Sequence, residues 1–302
     1  MKKMPIIIDC DPGIDDVLAL MMLYKYKHLF DLKLISVCAG NVPIEVTTKN
    51  AKYVAHEFFD GVRIARGTGK ALKKVNPENA EDVFGIGGLG NFYSTDVDYP
   101  CEDDAVESMY DVLSNSKEQI SLICLGPMSN VARLFIKYPE VKAKIDKIYC
   151  MIGAITGIGN IKDWAEFNAY FDPDAFKVVA ESGLPLFINP METSHNTRIK
   201  KSLVAGMPEK NKYHKMIKLM VEGLYEYRDP GLFTIFDLNA IYSIIKPELY
   251  TLTKCDIKIT TRCKYAGKCL LPKNEKSIHA YYDIIDADKC NSAIIEDLFS
   301  IE

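Results

Sequence analysis

No stretch of this chain reaches about 18 consecutive apolar residues, which argues against a membrane-spanning helix. Met1-Lys2-Lys3 leads straight into an apolar run with no signal-type leader, so the expectation is a cytoplasmic protein that makes no membrane contact. Long basic tracts are also missing. With 37 Lys and Arg against 41 Asp and Glu the net charge is -4, which argues against binding a nucleic-acid backbone and leaves a small molecule as the expected partner. Repeats, linkers and low-complexity tracts do not occur. Histidine is scarce, five in 302 residues, and the nine cysteines include no Cys-x-x-Cys pair. Reduced, mostly buried thiols are the simplest reading, because Cys263, Cys269, His279 and Cys290 are too irregularly spaced for a zinc site.

Apolar residues make up 48% of the chain, enough at this length for a full core. Ile6 to Ile8 is a continuous β-branched run, as in a parallel strand buried on both faces. Similar runs recur at Leu32 to Ala39, Val62 to Ala65, Ile120 to Leu125, Ile148 to Ile152 and Leu184 to Ile188. Helix-like stretches separate most of them, at Val42 to Phe59, Asp104 to Leu113, Asn130 to Tyr138 and Ala175 to Glu181. This alternation predicts an α/β fold with an open, mainly parallel, doubly wound (Rossmann-like) sheet in a single domain over 1-302. Residues 199-246 read as consecutive helices, 255-285 as strand-like segments, and the Gly-rich region from Asn76 to Tyr99 as a loop near the site. A phosphate cradle at Gly85 to Gly90 is a weak reading, since no strand precedes it.

The chemistry is concentrated at the first turn. Asp9, Asp11, Asp15 and Asp16 fall within eight residues, directly after the first strand-like run and around Pro12-Gly13. Like charges this close raise one another's pKa unless a cation or a set of donors compensates them, so the segment reads as a hard-metal, oxygen-ligand site. In open α/β sheets the carboxyl end of a strand is also where ligands bind. Asp15 and Asp16 would suit a helix start as well, but four acids around one turn exceed what helix capping needs.

The run Asp9-x-Asp-Pro-Gly-x-Asp-Asp16 resembles the N-terminal signature of the inosine-uridine type nucleoside hydrolases. The resemblance continues, in family order, through Ala39-Gly-Asn41, Leu125-Gly-Pro-Met-Ser-Asn130, Met151-Ile-Gly-Ala154, Gly157-Ile-Gly-Asn160, Ala165-Glu-Phe-Asn168, Phe171-Asp-Pro-Asp174 and Asp237. It implies calcium-dependent hydrolysis of the N-glycosidic bond of ribonucleosides, with Ca²⁺ held by Asp11, Asp16, the Leu125 carbonyl and Asp237. By the same resemblance Asp11 is the general base and Asp9 orients the water. Asp15 and Asn41 would hold the 2′- and 3′-hydroxyls, with Asn160, Glu166 and Asn168 on the 5′ and 3′ side and Met151 packed against the sugar. Family members are commonly homodimers or homotetramers.

The chain departs from the family on the leaving-group side. Phe84 and Phe236 stand where many members carry histidines implicated in binding or protonating the base, and neither ring can donate a proton. A purine-specific branch has tryptophans at these positions and stacks the base between them, so two phenylalanines imply a purine-leaning enzyme that holds its base by stacking. Tyr225, Tyr227 and Arg228 lie in a segment resembling a mobile flap, and Trp164 is a further aromatic candidate whose default role is core packing. The histidines, His195 included, read as surface or structural residues. Two other readings compete: a nucleoside- or ribose-binding protein on the same scaffold, and a Mg²⁺-dependent phosphatase, which fits worse because Pro-Gly followed by Asp15-Asp16 is not its turn.

Overall fold

A computed structural model describes residues 2-73, 79-224 and 230-302. Tyr225, Tyr227 and Arg228 therefore lie outside the described residues. The principal sheet has eight strands, numbered here along the chain: β1 Met4–Cys10, β2 Phe30–Val37, β3 Arg63–Arg66, β4 Ile120–Cys124, β5 Ile145–Met151, β6 Leu186–Asn189, β7 Tyr250–Lys254 and β8 Ala280–Ile284. Their order is 3-2-1-4-5-6-8-7, and every neighbouring pair is parallel except β8 with β7. The mainly parallel, doubly wound α/β architecture expected from the sequence is therefore present.

The β-branched runs form central strands because both of their faces are covered. Ile6 and Ile8 pack against helices Ile14–Lys25, Asp237–Ile245 and Ala287–Leu298, while Ile7 packs on the other side with Met109, Leu134 and Phe176. All of β4 is buried. The strand order reverses at β1, whose neighbours β2 and β4 lead to opposite edges of the sheet, and the crevice at such a reversal is where open α/β sheets bind ligands. The acid-rich turn leaves β1 at that point.

Two helices aim their first turns at this crevice. Ile14–Lys25 begins after Pro12-Gly13, and the Asp16 side chain reaches back to accept the Gly13 N–H at 3.1 Å, which satisfies a donor the helix cannot. Asp237 is the first residue of the helix Asp237–Ile245. At their far ends the two helices share an anchor, since Tyr26 and Tyr242 donate their hydroxyls to Asp297 Oδ2 at 2.7 and 2.9 Å.

Residues 199-246 are not helical throughout. Arg198–Lys200 and Leu232–Thr234 pair as antiparallel strands on either side of the helices Lys201–Gly206 and Lys212–Gly223. Three-residue strands are too short to show a period, so the sequence pattern is dominated by the helices between them. The strand-like region also begins earlier than expected, with β7 at the sheet edge, where its exposed outer positions dilute the apolar signal. Within the Gly-rich region Glu81–Phe84 forms a single helical turn. Asn50 ties that region to the acidic turn by donating to the carbonyls of Pro12 and Gly87 at 3.0 and 2.9 Å.

Candidate functional site

The site is built on buried carboxylates. Asp9, Asp11, Asp15, Asp16 and Asp237 are at most 8% exposed. Asp15, Asp16 and Asp237 each offer an oxygen within 4.8 Å of the others. Two unit charges at that separation repel by on the order of 3 kcal/mol at an effective dielectric near 20, so the trio cannot stay ionised without a compensating cation or shared protons. Burial accordingly pushes Asp16 up to about 6, and burial with the neighbouring Asp16 pushes Asp15 up to about 8. Asp11 and Asp237 are raised well above the usual carboxylate range, chiefly by burial and then by Asp16 for Asp11 and Asp15 for Asp237.

Donors hold part of this charge. Asn41 gives its backbone N–H to Asp11 Oδ2 at 2.7 Å and its side-chain amide to Asp16 Oδ2 at 2.9 Å, and the Asp11 N–H reaches Asp16 Oδ1 at 3.2 Å. Asp11 Oδ1 and Asp15 Oδ1 are buried with no hydrogen-bond partner among the described residues. Orphaned carboxylate oxygens beside a three-acid group are the donor set of a hard cation, so a metal fits the residues present. The geometry groups Asp15 with Asp16 and Asp237, whereas the sequence reading set Asp15 on the sugar and Asp11 on the metal. Asp11 lies alongside, its carboxylate enclosed by glycines: a Cβ on Gly40 would come 2.0 Å from Oδ2, and one on Gly126 would come 2.5 Å from Oδ1.

Asp9 lies deeper and does not line the cavity. Ser36 and Asn130 donate to its Oδ1 at 2.6 and 2.9 Å, its Oδ2 has no partner among the described residues, and burial raises it to about 6. Asn130 is placed there by the turn through Met128, which holds φ +62°, a left-handed conformation uncommon outside glycine and one that tends to accompany functional sites.

Glu166 and Asn168 form the neighbouring wall. Glu166 caps the helix Phe167–Phe171, accepting from the N–H groups of Asn168 and Ala169 at 2.7 and 3.0 Å, and also takes the Gly153 N–H at 2.8 Å. Burial outweighs these three donors and raises its carboxyl to about 7. The Asn168 amide donates to the Leu125 carbonyl at 2.7 Å and the Met151 carbonyl at 3.0 Å. A carbonyl has two lone pairs, so Leu125 can still ligate a cation. Asn160 is exposed at the rim, where its side-chain oxygen accepts the Phe167 N–H at 2.9 Å.

A cavity of about 320 Å³ opens onto these residues. It brings together ten positions singled out in the sequence: Asp15, Asn41, Phe84, Leu125, Met151, Asn160, Glu166, Asn168, Phe236 and Asp237. Asp11 and Asp16 lie beneath that floor. Trp164 is not part of the lining; it packs edge-on against Tyr265 at 5.5 Å. The cavity also contains His195 and Arg198, to which the sequence gave no role in the site. The only sequence cue was their adjacency in Ser194-His195-Asn-Thr-Arg198; what brings them to the cavity is the antiparallel pairing with the strand before Phe236.

The sequence profile of the inosine-uridine preferring nucleoside hydrolases matches residues 6-297. The non-specific ribonucleoside hydrolase RihC of Escherichia fergusonii is 30% identical over 269 residues, covering 88% of this chain and 86% of the relative. RihC of Salmonella paratyphi B is 32% identical over 266 residues, covering 87% and 85%. Among solved structures, a purine-preferring ribonucleoside hydrolase from Gardnerella vaginalis superposes with a TM-score of 0.88 at 22% identity over 98% of both chains. The plant nucleoside hydrolase PpNRh1 does so with a TM-score of 0.90 at 22% identity, over 99% of this chain and 100% of that one.

Proposed function

The chain belongs to the inosine-uridine preferring nucleoside hydrolase family and is a nucleoside hydrolase, and from that premise we propose that it splits ribonucleosides, purines first, into free base and ribose with the help of calcium. The observation that carries this reading is the buried carboxylate group at the strand-order reversal, open to a cavity of nucleoside size. Asp11, Asp16, Asp237 and the Leu125 carbonyl would hold the ion, with Asp15 in the same oxygen group. When bound, a calcium ion acidifies a water and anchors sugar hydroxyls.

Asp11 Oδ1, without a protein donor among the described residues, accepts the proton of the attacking water, and Asp9 fixes the floor behind it through Ser36 and Asn130. Positive charge grows on the sugar as the C1′–N bond breaks, and the carboxylates with the Asn41 and Asn168 amides stabilise that charge electrostatically. Asp15, Asn41, Asn160, Glu166 and Asn168 position the ribose, with Met151 against it. Phe84 and Phe236 in the cavity wall support a purine preference, since a larger ring gains more from stacking. The flap residues Tyr225, Tyr227 and Arg228 complete the base side of this proposal. The eight-stranded sheet, which joins strands from both ends of the chain, supports a single domain over 1-302. A cytoplasmic homodimer or homotetramer belongs to the same reading, and nine unpaired cysteines fit a reducing compartment.

The test is steady-state kinetics on inosine, adenosine, guanosine, uridine and cytidine with the wild type and Asp11→Asn. Purine kcat/KM should exceed pyrimidine kcat/KM, and loss of the base should lower kcat by about 10²- to 10⁴-fold. Equal rates on uridine and inosine would remove the purine preference, and an active Asp11→Asn enzyme would remove the assigned base.

A further inference from the structure

Neither phenylalanine at the base end can bear a hydrogen bond to the leaving group, yet two basic side chains line the same cavity. His195 lies in the last turn of the helix Met191–Asn196, and Arg198 opens the strand Arg198–Lys200, where it sits opposite Thr234. Both line the cavity. Their segment is fastened to the loop that presents Phe236 and Asp237. The Ile235 N–H donates to the Thr197 carbonyl at 3.2 Å, and the Asn239 amide donates to Thr197 Oγ1 and to the Ile235 carbonyl at 2.8 and 2.7 Å. Tyr250 in turn donates its hydroxyl to Asn239 Oδ1 at 2.8 Å. Thr197 and Asn239 are fully buried, so this relay holds the segment that carries His195 and Arg198 in fixed relation to the acid floor.

Among the described lining residues the charge in the cavity is one-sided. Asp15, Asp82, Glu166 and Asp237 line it, and Arg198 is the one Lys or Arg among the described lining residues. Breaking the C1′–N bond sends its electron pair onto the base, which a wall of carboxylates opposes and a guanidinium favours. The planar donor fork of arginine matches two adjacent acceptors, the pattern that N7 and O6 present in a 6-oxopurine, whereas adenine offers N7 beside a donor amino group.

We propose that Arg198, seconded by His195, binds the N7/O6 edge of the leaving base, stabilises the negative charge that develops there, and makes 6-oxopurine nucleosides the preferred substrates. The inference rests on the hydrolase reading above. Water oxygen bonds to C1′ as the C1′–N bond breaks, Asp11 takes the water's proton, and the departing base, held by these donors, takes its proton from solvent.

The experiment compares inosine, adenosine and p-nitrophenyl β-D-ribofuranoside, whose leaving group is stable as an anion, in the wild type, Arg198→Met, Arg198→Lys and His195→Ala. Wild type should favour inosine over adenosine by about tenfold or more, and Arg198→Met should lower that ratio by a similar factor. The ratio of kcat/KM on inosine to that on the nitrophenyl riboside should fall by about 30-fold or more in Arg198→Met and less in Arg198→Lys and His195→Ala. Unchanged ratios, or equal loss on all three substrates, would overturn the assignment, because a purely structural residue affects them alike. Failure of the wild type to release ribose from all three substrates would instead overturn the hydrolase reading on which it rests.

Discussion

Asp11 is hemmed in by backbone that carries no side chain. Gly40 and Gly126 flank its carboxylate so closely that any side chain at either position must displace it. Gly40→Ala and Gly126→Ala should therefore each lower kcat by about 10²-fold or more, the loss expected when a catalytic group is pushed aside. The melting temperature should change far less than activity; kinetics beside differential scanning fluorimetry checks both, and retained activity in the two variants would show that Asp11 need not be held in place. Phe236→Ala should cost about 1 to 3 kcal/mol in kcat/KM on inosine, the range of one lost stacking contact, and less on the nitrophenyl riboside. His195 shows the limit of reading single residues. Its only sequence cue is its place shortly before Arg198, and the strand that follows it, paired with Leu232–Thr234, is what fastens its segment beside the cavity.

Helices Ile14–Lys25 and Asp237–Ile245 carry the acids of the three-oxygen group on their first turns, and Asp297 joins their far ends through Tyr26 and Tyr242. Asp297→Ala leaves two hydroxyls without an acceptor, one of them on a fully buried tyrosine. The expected loss is about 1 to 3 kcal/mol of stability, or a fall of about 2 to 8 °C in melting temperature. Calcium affinity measured by calorimetry should weaken in the same variant, and unchanged affinity would show that the anchor does not set the site. At this scale the sequence was informative wherever an element is buried on both faces: β1, β2, β4 and β5 follow directly from β-branched runs. It was silent on Arg198–Lys200 and Leu232–Thr234, since three residues cannot display a period. The acid turn was legible because unpaired charge is improbable without a purpose. The grouping of Asp15 with Asp16 and Asp237 was not, because it depends on how two helices meet.

For the molecule as a whole, the raised carboxyls couple stability to pH and metal. Asp9, Asp16, Glu166 and Asp15 stand at about 6, 6, 7 and 8 when folded, against 3.8 for an ordinary Asp and 4.5 for an ordinary Glu. Each raised group binds its proton more tightly in the native state, so its contribution is fully present below the unfolded value and is lost as pH rises through the folded one. In chelator, the melting temperature should therefore fall between pH 4 and pH 8. Calcium should restore more of it at pH 8 than at pH 5, and a pH-independent calcium increment would contradict this linkage. The most direct test of the central claim is ribose release from inosine across calcium buffers that span EGTA excess to saturation. The account predicts no turnover in EGTA and full, reversible recovery with added calcium, whereas turnover that persists in EGTA would contradict it.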